Sequence, residues 1–424
     1  MELRLEQRIR KWIEPVQYRF LIIPRAVRGQ RKRLKTIQEN KQARVVFIVS
    51  SLPMWRAQKV YELLRQDARF VIHMALYPFS TFEKAQQESA MRELRDYCRE
   101  HDMPYIDLSG VSNPGAQLKK DLQPDIVFYP QPYNHLFEND LDCPFFADTL
   151  NCYLPYSFRT SSAPWAYRTY LNDTAWRLFY PTDAHRKEAS QVLYNKGRNI
   201  RITGDPIIDV FSEPMKVDVW KPQDQKKKKV IWAPHFSIKN TGMLYRDSFT
   251  WLSKCMWEIA EKYQDKIQFV FKPHPRLLSE LYSFDGWGKE RADAYYAKWA
   301  NGMNTQLVTG PYIDLFKGSD AMIHDSGSFS VEYHFTGKPV LFTTKDVNVS
   351  IAGQNELGRE GILAHYLGAS EADIIAFIED TVLEGKDPRK ADRAAFYEKY
   401  LRPPGGHTVA ENIYREIVTG LGFE

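Results

Sequence analysis

The chain has 424 residues, which is enough for two or three domains. Hydrophobic residues make up 43% and charged residues 26% of the chain, so wholesale disorder and collagen-like or coiled-coil architectures are excluded. The formal net charge of +5 is unevenly placed, because residues 1–44 hold thirteen Lys/Arg against four Asp/Glu. The basic character therefore belongs to the first tenth of the chain.

Residues 1–43 form a basic segment in which apolar and aromatic side chains such as Trp12 and Phe20 alternate with arginines. This pattern favours contact with an anionic membrane surface. A structural helix packed on its own domain is the main alternative, and nucleic acid is the least favoured partner. Since no apolar run reaches the length of a bilayer span or a signal-peptide core, we expect a cytoplasmic protein, either free in the cytosol or peripheral on the inner face of the membrane.

The first half of the chain alternates apolar, β-branched runs with amphipathic stretches. This pattern predicts strands over 44–51, 70–77, 105–108, 125–130, 150–156, 177–182 and 199–206, with helices over 55–66, 81–101, 117–122 and 184–195. Such alternation is typical of a parallel sheet with right-handed crossovers.

A stretch containing Pro214, Pro222 and the run Lys226–Lys229 then interrupts the alternation. Beyond it, strands are predicted over 229–234, 267–273, 305–310, 321–325 and 339–344, with helices over 251–263, 313–317, 328–335, 371–383, 389–400 and 408–419. The predicted organisation is an N-terminal segment 1–43, an α/β domain 44–209, a linker 210–228, an α/β domain 229–400 and a C-terminal helix 401–424.

Ligands of open parallel sheets bind beyond the carboxyl ends of strands, and with two such sheets the cleft between them is the expected site. The most informative segment of the second half is Asp325-Ser326-Gly327-Ser328, a short turn between a strand and a helix. Ser326 and Ser328 offer hydroxyl donors, Gly327 permits close backbone approach, and the helix start attracts a phosphate. Glu332, one turn later, faces the same side and suits a ribose diol. A serine N-cap with nothing bound is the structural alternative.

Two further segments also follow strands of the second half. In Lys272-Pro273-His274-Pro275-Arg276 the prolines stiffen the loop and present His274 among positive charges, where it suits a diphosphate leaving group. His235 follows a strand and a proline in the same way. Each histidine also has a purely structural interpretation, so the coincidence of the three segments in one domain carries more weight than any one of them.

Candidates in the first half are weaker. His135 and Tyr156 both follow strands and are candidates for acceptor binding or for the general base. The chain lacks a G-x-G-x-x-G dinucleotide fingerprint, a phosphate-binding P-loop, an H-E-x-x-H motif and a G-x-S-x-G elbow. Its four cysteines form no C-x-x-C pair, so we expect neither a metal knuckle nor a disulfide framework. Because the dinucleotide and metal motifs are also absent, we expect no cofactor and no metal site.

Several of these segments together resemble those of the CDP-glycerol glycerophosphotransferases, the teichoic acid primases and polymerases. The resemblance covers about residues 200–420. It rests on Ile202-Thr203-Gly204-Asp205-Pro206, Ala233-Pro234, Lys272-Pro273-His274-Pro275, Asp325-Ser326-Gly327-Ser328, Gly337-Lys338-Pro339-Val340-Leu341-Phe342 and Gly405-Gly406-His407-Thr408.

This resemblance implies a GT-B fold of two facing Rossmann-like domains. It also implies a metal-independent transfer of glycerol phosphate from CDP-glycerol to a polymer or lipid-linked acceptor. By the same resemblance His274 contacts the donor diphosphate, residues 326–328 bind phosphate, and Glu332 or a neighbouring residue binds ribose.

The family's Trp-His-Gly segment is replaced here by Tyr153-Leu154-Pro155-Tyr156, so the identity of the base stays open. The donor-binding set predicted for this chain is Lys272, Arg276, His235, Asp325, Ser326, Gly327, Ser328 and Glu332. The alternatives are transfer of a related polyol phosphate or sugar, a UDP-sugar enzyme such as a glycosyltransferase or 2-epimerase, and a non-catalytic GT-B scaffold.

Overall fold

The computed structural model of the protein describes residues 13–133, 136, 140–238 and 248–423. The described chain divides into two compact units. Unit 1 comprises the residues up to Phe158, then Ala163–Asp209 and the segment from Pro403 onward. Unit 2 comprises Arg159–Ser162 and Val210–Arg402. The C-terminal helix thus belongs to unit 1, and a four-residue excursion near residue 160 belongs to unit 2.

Each unit is built on one parallel sheet. The strands of unit 1 are β1 Ala43–Val49, β2 Phe70–Leu76, β3 Tyr105–Asp107, β4 Ile126–Tyr129, β5 Leu150–Tyr153, β6 Arg177–Tyr180 and β7 Ile200–Ile202. Those of unit 2 are β8 Lys228–Ala233, β9 Ile267–Phe271, β10 Thr305–Leu307, β11 Ala321–His324, β12 Val340–Thr343 and β13 Tyr366–Gly368.

The strand orders are β3-β2-β1-β4-β5-β6-β7 and β10-β9-β8-β11-β12-β13. Each order reverses direction once, between β1 and β4 in unit 1 and between β8 and β11 in unit 2. Such a reversal is the switch point at which doubly wound sheets bind ligands. The α/β class with parallel sheets that the sequence predicts is confirmed.

The α-helices alternate with these strands. They are α1 Ile23–Asn40, α2 Gln58–Gln66, α3 Lys84–Glu100, α4 Pro114–Leu122, α5 Tyr170–Thr174, α6 Asp183–Val192, α7 Ile207–Ser212, α8 Phe249–Lys262, α9 Leu277–Tyr282, α10 Gly288–Asn301, α11 Ile313–Gly318, α12 Phe329–Glu332, α13 Val347–Ala352, α14 Glu356–Leu363, α15 Glu371–Ala376, α16 Lys390–Phe396 and α17 Val409–Leu421. Among the described elements, α5, α7, α9, α10, α13, α14 and β13 have no counterpart in the sequence prediction.

Both faces of the unit 2 sheet are covered by apolar side chains. On one face Trp232, Phe249, Phe271 and Trp299 form an aromatic core. On the other face Phe316 and Tyr333 pack with residues of β8, β9, β11 and β12. Burial of a strand on both faces explains why β8 and β9 appear in the sequence as continuous apolar runs.

Candidate functional site

Three of the predicted segments meet at one edge of the unit 2 sheet. β9, β8 and β11 are adjacent, so the loops at their carboxyl ends are neighbours. The loop after β9 is joined to the loop after β8 by a bond from the His274 N–H to the Pro234 carbonyl, at 3.0 Å. The loop after β8 is joined to the β11 loop by a bond from the His235 N–H to Asp325 Oδ1, at 2.6 Å. The edge is therefore one connected surface at the switch point of the sheet.

Asp325 is a buried brace between these loops. Besides the His235 N–H, its carboxylate accepts the Ser248 N–H on Oδ2, at 3.1 Å. The side chain is almost wholly buried, and buried acceptors of this kind hold backbone groups that would otherwise lose their hydrogen bonds. Asp325 is one of the donor-binding residues predicted from the sequence, and its hydrogen bonds indicate that it shapes the site through the backbone.

We expect Asp325→Ala to lower the free energy of unfolding by about 3 kcal/mol or more, because the buried Ser248 N–H and the part-buried His235 N–H lose a charged acceptor. Asp325→Asn should lose less, since one oxygen remains. The measurement is urea unfolding, with Asp314→Ala as the matched control. Asp314 also accepts two backbone N–H groups, from Lys216 and Val217, but it lies near solvent. Equal losses in the two alanine variants would contradict the assignment of Asp325 as a buried brace.

His274 is held as a neutral imidazole. Its Nδ1 accepts the Arg276 N–H at 3.1 Å, which places the remaining ring proton on Nε2. Burial, together with the charges of Arg276 and Lys272, lowers the pKa of His274 to about 4. At neutral pH the side chain therefore offers a single N–H donor, and its contribution to an anion site is a hydrogen bond and not a full charge.

His235 and Arg276 frame this donor. The His235 ring lies 5.2 Å from the His274 ring, and both rings contact Phe236. The guanidinium of Arg276 stacks over Phe236 at 4.2 Å and pairs with Glu280 at 2.8 Å. Arg276 is thus present at the edge, but its charge is already shared with a carboxylate.

Lys272 supplies the strongest cationic character of the site. Its side chain is only 6% exposed, and its Nζ donates to the Gly310 carbonyl at 2.9 Å. No carboxylate pairs with it among the described residues. Burial lowers the pKa of Lys272 to about 8. A buried ammonium group without a counter-ion is costly unless a ligand supplies the negative charge.

Tyr312 connects Lys272 to Glu332. Lys272 Nζ lies 5.9 Å from the centre of the Tyr312 ring, and the Tyr312 hydroxyl donates to the carboxylate of Glu332. Glu332 itself is buried. Tyr312 is not among the residues predicted from the sequence. It lies in the loop after β10, so the rule of carboxyl strand ends that selected the other segments also applies to it.

The turn at residues 326–328 keeps several donors available. The N–H groups of Gly327 and Ser328 and the hydroxyls of Ser326 and Ser328 have no hydrogen-bond partner among the described residues. The helix that follows is shorter than predicted. α12 has four residues and continues as a 3₁₀ turn, Tyr333–Thr336. A helix of this length has a small dipole, so an anion at this turn would depend mainly on the local donors and on Lys272.

The two residues predicted as candidates for the general base come from the first half of the chain. Tyr156 belongs to unit 1, follows β5 and is 38% exposed. His135 lies outside the described residues. Within the part of the chain that the structure describes, no group of three or more His, Cys, Asp or Glu side chains is placed to hold a metal ion.

Comparison with known proteins identifies the sequence pattern. A family model described as CDP-Glycerol:Poly(glycerophosphate) glycerophosphotransferase matches residues 159–418, more than half of the chain. No curated protein sequence matches the chain.

Solved structures share the fold at low identity. The wall teichoic acid polymerase TagF is 12% identical with a TM-score of 0.56, and the match covers 98% of each chain. The UDP-GlcNAc 2-epimerase from Neisseria meningitidis bound to UDP-GlcNAc is 16% identical with a TM-score of 0.58, covering 90% of this chain and 100% of that one. The S. aureus MnaA–UDP structure is 15% identical with a TM-score of 0.57, covering 90% and 98%. The predicted GT-B fold is confirmed.

Proposed function

Because this chain belongs to the CDP-glycerol:poly(glycerophosphate) glycerophosphotransferase family, we propose that it transfers glycerol phosphate from CDP-glycerol to a teichoic acid-type polymer or its lipid-linked precursor. The observation that carries the proposal is the edge of unit 2. There the buried Lys272, the neutral donor His274 and the donors of residues 326–328 follow strands of one sheet. Such a set matches a diphosphate better than a neutral ligand.

In the proposed reaction an acceptor hydroxyl attacks the phosphorus atom that carries glycerol. A new P–O bond forms, the bond to the bridging diphosphate oxygen breaks, and CMP leaves. Lys272 and the turn at 326–328 balance the phosphate charge, and the Nε2–H of His274 donates to the oxygen on which charge develops. The hydroxyl proton passes to a base on the acceptor side, for which Tyr156 and His135 remain the proposed candidates. Glu332, with its Tyr312 bond, is proposed to bind the ribose.

The deciding experiment is calorimetric titration of the full chain with CDP, CMP, UDP and GDP, for wild type and for Ser328→Ala. We expect CDP to bind most tightly, and Ser328→Ala to weaken CDP binding several-fold because a hydroxyl donor is lost. Tighter binding of UDP would instead favour a UDP-sugar transferase or epimerase on the same fold. Binding of no nucleotide would overturn the proposal in favour of a scaffold. Release of CMP from CDP-glycerol in the presence of acceptor tests turnover.

We also propose that the N-terminal helical segment attaches the enzyme to the membrane that carries its acceptor. Residues 13–40 are helical throughout, with a π-helical stretch at Tyr18–Ile22. The second half of the segment is structural, since Ile37 is buried and Arg33 pairs with Asp125 at 3.1 Å. The first half instead exposes apolar side chains, with Phe20 and Leu21 both 66% exposed. No described helix is long and apolar enough to cross a bilayer.

We expect Phe20→Asp combined with Leu21→Asp to reduce binding to vesicles of phosphatidylcholine and phosphatidylglycerol by about tenfold or more, because two apolar anchors are removed. Vesicle co-sedimentation measures this effect. Val217→Asp is the control, since Val217 is similarly exposed but lies in unit 2. If the control and the double variant bind vesicles equally, the N-terminal segment is not the anchor.

A further inference from the structure

Three histidines at this edge of unit 2 share one local structure. His235 and His274 lie in the loops that follow β8 and β9, and His324 is the last residue of the neighbouring strand β11. The Nδ1 atom of each accepts a hydrogen bond from the N–H of the residue two positions later. The distances are 3.3 Å to Ser237 N, 3.1 Å to Arg276 N and 3.1 Å to Ser326 N. The imidazole Nδ1 thus accepts the same kind of hydrogen bond that the side-chain oxygen of Asp or Asn accepts in an Asx turn. In each case the bond places the ring proton of the neutral imidazole on Nε2.

His324 differs from the other two in being completely buried, at 0% exposure. It is the last residue of β11, whose register pairs it with Ala233 on β8 and Phe342 on β12. A ligand at the edge therefore meets the turn that His324 holds and not His324 itself.

The back of the His324 ring is fixed by other rings. The Phe342 ring lies 5.4 Å away and the His365 ring 5.3 Å away, both edge-on. The Nε2 of His365 is in turn 2.9 Å from the Nε2 of His334, so His365 is itself anchored. This packing restricts the orientation of the His324 ring and with it the position of Nδ1.

We propose that His324 is a positioning residue for donor binding, because its Nδ1 accepts the Ser326 N–H and so directs the following N–H groups to the ligand. This inference rests on the proposed function, in which residues 326–328 bind the diphosphate. With the Ser326 N–H bonded to the imidazole, the N–H groups of Gly327 and Ser328 are the ones left without a partner among the described residues. Without the imidazole acceptor, the buried Ser326 N–H would lose its hydrogen bond. The turn would then rotate, because the N–H group is more stable when it is paired with another acceptor.

Two substitutions of His324 separate this role from simple packing. His324→Asn keeps an oxygen acceptor near the position of Nδ1 but leaves a cavity. His324→Phe fills the space but has no acceptor. A packing role predicts that Phe preserves CDP binding better than Asn, whereas the proposed role predicts the reverse order.

The experiment measures CDP affinity and the melting temperature of the full chain for wild type, His324→Asn, His324→Phe and Ser328→Ala. We expect His324→Phe to raise the Kd for CDP about tenfold or more, and His324→Asn to stay within about threefold of wild type even if it melts earlier. Hydrogen exchange of the Ser326 amide should be faster in the Phe variant only.

The outcomes of this experiment are distinguishable. If wild type binds CDP, Ser328→Ala weakens binding and His324→Phe binds as wild type does, the role of His324 is wrong while the donor site stands. If Asn and Phe lose affinity in proportion to their lost stability, His324 acts by packing alone and the inference is overturned. If wild type binds no CDP, or Ser328→Ala has no effect, it is the proposed donor site that fails.

Discussion

Replacing Lys272 by Met is expected to abolish donor binding while making the protein without ligand more stable. Burial lowers the pKa of Lys272 from 10.5 to about 8. At neutral pH this difference in pKa means that burial of the charged ammonium group lowers the free energy of unfolding by about 3 kcal/mol. Met retains most of the apolar stem and removes the charge. The bond from Nζ to the Gly310 carbonyl is lost, so we expect a net gain of about 1–3 kcal/mol in the free energy of unfolding.

The lowered pKa of Lys272 also determines how the free energy of unfolding and the donor affinity change with pH. Between about pH 8 and pH 10.5 the unfolded chain holds the Lys272 proton and the folded chain releases it. The free energy of unfolding of the wild type should therefore rise with pH across this window, and the Met variant should lack that rise. Donor affinity should change in the opposite direction, because deprotonated Lys272 no longer balances phosphate charge. Wild-type affinity for CDP should thus fall above about pH 8.

Urea unfolding and CDP titration at neutral and alkaline pH measure both effects. Lys266→Met is the matched control, because Lys266 is exposed in the same unit. We expect the control to leave CDP binding unchanged and to lack the stabilisation. A Lys272→Met variant that binds CDP normally would contradict the role of the lysine, and one that is less stable than wild type would contradict its cost to folding.

Replacing His274 by Ala is expected to lower kcat by about 10²–10³, the usual effect of removing one donor to a developing oxyanion. His274→Gln should retain more activity, because its side-chain amide can place an N–H near the position of Nε2. Since the pKa of His274 is about 4, its charge should not change between about pH 5 and pH 8. His274 should therefore cause no inflection near pH 6.5 in the pH profile of kcat. Any inflection seen there in the wild type should persist in the Gln variant.

Steady-state kinetics with CDP-glycerol and acceptor test this prediction. The control is His101→Ala, which removes an exposed histidine that stacks on Tyr97 in unit 1. A fall in donor affinity with unchanged kcat would assign His274 to ground-state binding. An acid limb near pH 6.5 that is lost with His274 would show that the residue acts as a cation, contrary to its buried setting.

Much of this architecture is determined locally and so could be predicted from the sequence. Strands buried on both faces require nearly continuous apolar runs, and these runs allowed β1, β8 and β9 to be predicted. Proline restricts the backbone of the loop that holds His274, and glycine at position 327 permits close approach of the backbone, so both segments could be recognised without tertiary information. The rule that ligands bind beyond carboxyl strand ends then indicated which segments to consider together.

Other features depend on contacts between distant residues. α10 escaped prediction although it buries Trp299 in the aromatic core, because its amphipathic pattern is weak and only the tertiary contacts select it. The π-helical stretches at Phe377–Leu383 and Tyr397–Leu401 likewise have no signal in the sequence. The sequence also did not predict that α12 would be short. Because the helix has only four residues, we expect Lys272 and not the helix dipole to be the main source of attraction for an anion.

Apolar periodicity predicted the class of fold, and the resemblance of several motifs to a known family predicted the family. The rule that ligands bind beyond carboxyl strand ends selected the segments that meet at this edge of unit 2. The contacts and protonation states of the side chains in those segments could not be predicted in this way, because they depend on the packing of the folded chain. Strand order makes β9, β8 and β11 neighbours, and this adjacency turns Asp325 into a brace for backbone N–H groups. Burial then sets Lys272 near its titration point and His274 as a neutral donor. Burial and hydrogen-bond partners are properties of the packed chain, and they fix the protonation states on which the proposed chemistry depends.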